Sequence, residues 1–139
     1  MASCSATVSV AGVSVLAIRR RNAAILNQGL ADVPGISPQQ VTPDSEHAWH
    51  QYCVVVDPEQ FGCDRNTLAQ RLKEKGVATG VHYPRGLHQQ PIFVEMYGPS
   101  QLPRTEHLAE HILALPVHHG LSEDQVNYVV ETIRNCRHE

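Results

Sequence analysis

The best-defined element of the chain lies near its C-terminus, where apolar residues recur at helical spacing. Four of them follow the i, i+3, i+4, i+7 pattern of a helix that buries one face: Val126, Val129, Val130 and Ile133. Ser122 and Gln125 precede this stripe at the spacing of a capping box, in which each side chain bonds to the other residue's backbone N–H. The pattern therefore predicts a helix that begins just after Ser122.

Three further helices are predicted by the same reasoning. Residues 13–30 interleave apolar positions with arginines, and Gly29 together with the turn-forming residues 32–35 ends the stretch. Asp64 is a favourable N-cap for a second helix, and Gly76 stands where a C′ glycine is expected. A short helix begins at residue 104 or 105 and carries three apolar residues on one face: Leu108, Ala109 and Ile112.

Strands are predicted where β-branched and aromatic residues cluster. Residues 48–56 form the strongest such run, residues 77–82 and 113–117 are shorter candidates, and a brief strand is expected at Ile36. Segment 83–103 has the length and the Pro and Gly content of a functional loop. Because strands and helices alternate only in part, the expected fold class is α+β, a small and mostly antiparallel sheet covered on one face by helices.

Charge and composition exclude several classes of function. The formal net charge is −3, and the only basic run, residues 19–21, is predicted to be a solvated helix face, so nucleic acid is not expected as a partner. The apolar run 8–18 is shorter than the ~20 residues that span a membrane, and its arginines follow it, unlike those of an export signal. The four cysteines lack metal-binding spacing, so we expect reduced thiols in a cytoplasmic protein. Because the apolar run is too short to span a membrane, we expect no membrane partner.

The nine histidines raise the question of a metal site. His107 and His111 are four residues apart on a predicted helix, a spacing that lets two rings face one ion. Glu110 stands directly before the second histidine, which does not match the H-E-x-x-H pattern of zinc proteases. A solvated helix face explains the pair more simply, so metal binding is kept as an alternative and no metal ligand is assigned.

Residues 80–88 bring together more varied chemistry. The sequence Gly-Val-His-Tyr-Pro-Arg-Gly-Leu-His places two imidazoles, a phenol and a guanidinium at the end of a predicted strand. Such groups hydrogen-bond sugar hydroxyls and phosphate oxygens, and an aromatic ring stacks on a sugar or a base. The structural alternative is a strand-to-loop turn whose polar tips face water.

Several motifs, in one order, resemble the C-terminal part of DegT/DnrJ/StrS-type sugar aminotransferases. They are residues 73–84 (Lys-Glu-Lys-Gly-Val-Ala-Thr-Gly-Val-His-Tyr-Pro) followed by 87–91 (Leu-His-Gln-Gln-Pro), residues 47–52 before the valine strand, residues 112–118 before Leu121-Ser122, and residues 20–23 in a linking helix. The similarity runs from about residue 17 to 133. We therefore expect residues 17–139 to be the small domain with part of the linking helix, and residues 1–16 to be an unmatched segment, disordered or the remnant of a longer helix.

The resemblance implies the C-terminal small domain of a fold-type I PLP enzyme that transfers an amino group to a nucleotide-linked keto sugar. In that family the Schiff-base lysine and the PLP-binding residues lie in the large N-terminal domain. The only lysines here, Lys73 and Lys75, do not match the Schiff-base position, so no catalytic residue and no PLP are expected for this chain alone. The resemblance further implies that His82, Tyr83 and His88 contact the nucleotide sugar.

Three hypotheses remain open at this point. The first is the small domain of a sugar aminotransferase, inactive alone, whose exposed domain interface self-associates or binds a full-length relative. The second is a freestanding ligand-binding or interaction module without catalysis, and the third is a histidine-rich metal-binding protein. The sequence does not say which sugar or nucleotide is used, nor which carbon is aminated.

Overall fold

The computed structural model describes residues 9–10 and 13–137, which form six α-helices, a 3₁₀ turn and two small antiparallel sheets. In chain order the elements are β1 (Ser9–Val10), β2 (Val13–Ser14), α1 (Val15–Leu30), β3 (Ile36–Pro38), β4 (Tyr52–Val56), α2 (Pro58–Phe61), α3 (Arg65–Glu74), the 3₁₀ turn η1 (Leu87–Gln89), α4 (Pro91–Tyr97), α5 (Pro103–His111), β5 (Ile112–Leu115) and α6 (Glu123–Cys136).

Strand β4 lies at the centre of the larger sheet, whose order is β3-β4-β5. Both of its neighbours are antiparallel to it, with Val54 opposite Pro38 on one side and Leu113 on the other. Successive side chains of a strand point to opposite faces, and on β4 the alternate residues Tyr52, Val54 and Val56 are buried. The expected α+β fold with a small antiparallel sheet is confirmed.

Helices α1 and α6 pack closely against each other in the core. Gly29 marks the crossing, since a Cβ built there would lie 2.5 Å from Val130 Cγ1. The four apolar residues predicted for α6 are all buried, and the predicted capping box between Ser122 and Gln125 forms. Each fully buried aliphatic side chain stabilises the fold by about 1.5–3 kcal/mol, so this stripe fixes α6 on the core.

The arginine triplet of α1 is only partly the solvated face that the sequence predicted, since all three side chains also bond to other parts of the chain. Arg19 Nη1 donates to the carbonyls of Trp49 and His50, at 2.8 and 2.9 Å. Arg20 pairs with Glu46, and Arg21 donates to the Leu121 carbonyl. The segment before β4 leaves backbone carbonyls without a ladder partner, and the arginines supply the missing donors.

The strand predicted over residues 48–56 is shorter in the structure, where only residues 52–56 are extended in the sheet. Trp49 has a positive φ of 49°, and its buried ring stacks on Tyr52 with centroids 5.3 Å apart. The aromatic residues that suggested a longer strand therefore serve the core through a turn. Trp49 is therefore a core residue.

The strand predicted over residues 77–82 is reduced to a single bridge. Gly80 N–H donates to Ala114 O at 3.0 Å, and Ala114 N–H donates back to Gly80 O at 2.8 Å. This bridge joins the residues just after it to the edge strand β5. It thereby anchors the start of the histidine-rich segment to the sheet.

Three helices begin at prolines: α2 at Pro58, α4 at Pro91 and α5 at Pro103. Asp57 caps α2, whose first residue is Pro58. Pro91 begins α4 inside the predicted loop 83–103. Proline is favoured at the first position of a helix because that N–H has no helical partner.

The predicted boundary between residues 16 and 17 stays a prediction, since residues 1–8 and 11–12 lie outside the described part of the chain. Cys53 and Cys63 are free thiols, and Cys136 is buried in the core, while Cys4 also lies outside it. Within residues 13–137 no helix is both long and apolar enough to cross a membrane.

Candidate functional site

A cleft of ≈ 560 Å³ lies between the segment that follows the Gly80 bridge and helix α5. Its lining residues come from both sides: His82, Tyr83, Arg85, Gly86, Leu87 and Gln90 from the segment, and Thr105, Leu108, Ala109 and Ile112 from α5 and the start of β5. The segment is tied to the sheet at Gly80, and α5 leads directly into β5. The two walls are therefore held by neighbouring parts of one sheet.

Two of the three predicted ligand contacts, His82 and Tyr83, line this cleft together. Their peptide bond is cis, and their rings meet edge-on with centroids 6.0 Å apart and planes at 78°. Tyr83 is 73% exposed, and the His82 ring lies over Gly80, where a Cβ would come 2.7 Å from Nε2. An imidazole and a phenol are thus both open to a ligand.

The third predicted contact, His88, does not reach the cleft wall. Its side chain is only 9% exposed, and Nε2 lies 2.9 Å from Glu106 Oε1. Nδ1 is buried and has no hydrogen-bond partner among the described residues. The structure brings His82 and Tyr83 together but places His88 one layer behind them.

Glu106 sits in the first turn of α5 and accepts two hydrogen bonds through Oε1. The Leu102 backbone N–H donates to it at 2.9 Å, and His88 Nε2 lies at the same distance. Both hydrogen bonds lower the pKa of the Glu106 carboxyl, and the one from the Leu102 N–H has the larger effect. At neutral pH this group is a carboxylate that can only accept, so the proton between the two side chains sits on His88 Nε2.

Arg85 is exposed and lines both this cleft and a second, more polar one of ≈ 380 Å³. Within residues 9–10 and 13–137, its guanidinium takes part in no hydrogen bond and no ion pair. Arg85 is not among the ligand contacts predicted from the sequence. Thr105 and Leu108 were missed because they lie some twenty residues further along the chain, and nothing local in the sequence joins the two walls.

The histidine pairs do not form a metal site in the structure. His107 and His111 stack with centroids 4.2 Å apart, and His111 Nδ1 lies 2.7 Å from the His107 carbonyl. Among the described residues, no group of three or more His, Cys, Asp or Glu side chains could hold a metal ion. The metal hypothesis therefore has no support.

The residues of the cleft do not fit a PLP site. Both lysines of the chain lie at the C-terminal end of α3, and neither lines the cleft. A PLP enzyme needs a lysine that forms an imine with the coenzyme. What the cleft can do is hydrogen-bond and stack: it offers an imidazole, a phenol and a guanidinium beside an apolar wall.

Comparison with known proteins identifies relatives of this arrangement. A "Pleiotropic regulatory protein" from Geobacillus stearothermophilus is 38% identical over 119 residues, which cover 83% of this chain and 30% of that protein. The structure of DesV from S. venezuelae in complex with a ketimine intermediate matches with a TM-score of 0.78 at 30% identity, over 88% of this chain and 32% of DesV. DesI, crystallised in the presence of its TDP-sugar product, matches with a TM-score of 0.80 at 28% identity, over 88% of this chain and 31% of DesI.

The chain thus spans about a third of the length of the relatives it matches. The sequence profile of the DegT/DnrJ/EryC1/StrS aminotransferase family matches residues 8–134, which include every motif on which the resemblance was based. The relationship predicted from the sequence is confirmed: the chain belongs to the DegT/DnrJ/EryC1/StrS aminotransferase family.

Proposed function

We propose that the chain acts as the C-terminal small domain, residues 17–139, of a PLP-dependent aminotransferase for nucleotide-linked keto sugars. Family membership and the likeness to DesI, whose structure was determined with a TDP-sugar product, support this proposal. Within it, the cleft of His82 and Tyr83 contacts the nucleotide sugar, while His88 contributes from behind the wall. The cysteines and the family suit the cytoplasm, where we place the protein.

The observation that carries the proposal is the chemistry of the cleft walls. On one side the exposed Tyr83 ring and the His82 imidazole offer a stacking surface and hydrogen bonds for hydroxyls. Arg85 adds a guanidinium with no protein partner among the described residues, which suits a phosphate oxygen. Leu108 and Ile112 form an apolar wall opposite. This combination fits a ligand with hydroxyls, phosphates and a flat ring.

In this proposal the chain alone does not transaminate. Lys73 lies in the last turn of α3 and Lys75 directly follows the helix. Neither lines the cleft, so no lysine amine is placed to form an imine near the bound sugar. PLP and its lysine come from the part of a family-length enzyme that this chain does not match. We assign this chain to substrate contact and to docking with that part.

The docking surface that we propose is the exposed apolar surface between residues 83 and 108. In the described part of the chain, none of the residues of α4 is buried, although most of them are apolar. The large exposed apolar residues of this surface are Tyr83, Leu87, Ile92, Phe93, Met96, Tyr97, Leu102 and Leu108. Apolar patches of this kind mark interfaces, so we expect a full-length relative to cover the surface, or a second copy when none is present.

A binding experiment tests the cleft directly. We expect TDP-glucose, titrated into the full chain, to shift the NMR signals of His82 and Tyr83 and to leave those of Tyr128, on the exposed face of α6, unchanged. Tyr83→Ala should weaken binding, whereas Tyr128→Phe should not. A wild-type chain whose signals do not respond to TDP-glucose would refute the proposed cleft.

Two further measurements test the absence of a PLP lysine and separate the proposal, through its expected self-association, from the freestanding-module hypothesis. After incubation with PLP and borohydride, no stoichiometric lysine adduct is expected at Lys73 or Lys75. Sedimentation should show concentration-dependent association that Met96→Glu weakens, while Val41→Glu, at an exposed loop residue, leaves it unchanged. A strictly monomeric chain that binds TDP-glucose tightly would instead favour the module.

A further inference from the structure

His88 occupies an unusual position for a residue beside a binding cleft. Its ring is enclosed between the segment that forms one wall and the first turn of α5, which forms the other. A Cβ built on Gly86 would lie 2.5 Å from His88 Cε1 and 2.9 Å from Thr105 Cγ2. Side chains from both walls therefore approach each other at Gly86. Gly86 and Thr105 themselves line the cleft.

The polar bond of His88 also joins the two walls. His88 lies in η1, on the segment side, and its Nε2 donates to Glu106 of α5 across 2.9 Å. The same Glu106 oxygen accepts from the Leu102 N–H at the start of α5. The His88–Glu106 pair therefore ties the segment to the N-terminal end of the helix that forms the opposite wall.

Direct contact between His88 and a ligand does not fit this geometry. Nε2 is already hydrogen-bonded to Glu106, and Nδ1 is buried beneath Gly86, where solvent does not reach it. In the neutral ring, Nε2 carries the proton and Nδ1 holds an unused lone pair. Arg85, Gly86 and Leu87 line the cleft, whereas His88 does not.

We propose that His88 is a positioning residue: through Glu106 it sets the separation of the two cleft walls and holds Tyr83 and Thr105 in register for the ligand. This inference rests on the proposed function of the cleft, but its structural part concerns the ligand-free chain as well. It predicts that the donor at Nε2 matters and that an imidazole as such does not.

Two substitutions of similar size separate the positions of the donor. Glutamine places an amide nitrogen near the position of the histidine Nε2, and asparagine places one near Nδ1. His88→Gln should therefore retain the bond to Glu106, whereas His88→Asn should lose it. Glu106→Ala removes the same bond from the other wall and provides a second, independent variant.

In the ligand-free chain, we expect the His88→Asn and Glu106→Ala variants to shift the NMR signals of Thr105 and Tyr83. In the His88→Asn variant, which keeps the Glu106 acceptor, hydrogen exchange at the Leu102 amide should be faster by about tenfold. This is the effect expected when the charge-assisted hydrogen bond from the Leu102 N–H to Glu106 is partly lost. The affinity for TDP-glucose should fall by about tenfold in both variants, and His88→Gln should stay within about threefold of wild type. In wild type, the long-range ¹H–¹⁵N spectrum of His88 should show the Nε2–H form.

The outcomes distinguish this inference from the function on which it rests. If wild type does not bind TDP-glucose, the proposed function fails, and the Thr105, Tyr83 and Leu102 signals still decide the positioning role. If His88→Asn leaves those signals and the affinity unchanged, the positioning role is refuted. Equal loss of affinity in the Gln and Asn variants, with a ligand-induced shift of the His88 ring in wild type, would show direct contact instead.

Discussion

Arg65 provides the sharpest test of how the cleft is held in place. This residue is only 8% exposed, and Nη1 donates to the carbonyls of Ala109 and Ile112, each at 3.1 Å. These carbonyls lie where α5 passes into β5, at a helix end that leaves acceptors without helical partners. Arg65→Met keeps an unbranched side chain of similar length but removes both hydrogen bonds.

The expected cost follows from the bonds that are lost and the burial that is relieved. Two hydrogen bonds from a charged donor contribute about 1.5–3 kcal/mol each, which gives a gross loss of about 3–6 kcal/mol. Arg65 Nε is buried without a partner among the described residues, and removing this unsatisfied donor recovers about 1–3 kcal/mol. We therefore expect Arg65→Met to lower the free energy of unfolding by about 3 kcal/mol. For a chain of this length that corresponds to a fall in Tm of about 10 °C.

Urea unfolding followed by tryptophan fluorescence measures this change, because the single tryptophan, Trp49, is buried in the core. Arg104→Met is the matched control. Arg104 is exposed on α5, and its side chain makes no hydrogen bond or ion pair within the described part of the chain, so the substitution should lower the free energy of unfolding by no more than about 0.5 kcal/mol. Arg65→Lys, which can still donate from one ammonium group, should lower the free energy of unfolding by about half as much as Arg65→Met. An Arg65→Met variant as stable as the Arg104→Met control would refute the reasoning.

Three further predictions concern packing and titration. Gly29→Ala places a methyl group 2.5 Å from Val130 Cγ1, so it should destabilise the fold by about 1–3 kcal/mol in urea unfolding, and by less in a Val130→Ala background; equal costs in both backgrounds would contradict the crossing. Burial raises the pKa of the Cys53 thiol, so alkylation at pH 8, followed by peptide mass spectrometry, should be slower in the folded chain than in urea; equal rates would contradict it. The lowered pKa of Glu106 means that its contribution to stability is complete above the ordinary carboxyl pKa and is lost as pH falls through the lower, folded-state pKa. Glu106→Gln should therefore flatten the acid side of the stability curve, and a carboxyl that titrates at its ordinary pKa in a ¹³C NMR titration would contradict this account.

The elements predicted correctly are those whose signals are local. The stripe and capping box of α6 act within one helix, and so do the N-cap Asp64 and the β-branched run of β4. The errors occur where one residue type has two roles. Pro91 was assigned to a loop because of the length and the Pro and Gly content of residues 83–103, yet it begins α4, where its missing N–H costs nothing.

The candidate site was predicted in part for the same reason. His82 and Tyr83 are adjacent, so their joint position in the cleft follows from the segment itself. The partner of His88 is eighteen residues away on another helix, and the opposite wall of the cleft comes from α5. No local pattern links these positions, so only the folded chain could separate a cleft-lining histidine from one that lies behind the wall.

The sequence by itself determined the family, the α+β class and the stretch of chain that carries the candidate chemistry, because motif order, periodicity and capping are properties of neighbouring residues. Only the tertiary structure decided that the arginines of α1 bond to backbone carbonyls, that Arg65 closes the end of α5, and that His88 faces Glu106. These are contacts between residues far apart in the chain. They form because the packed interior leaves specific donors and acceptors in need of partners, and that need does not exist until the chain has folded.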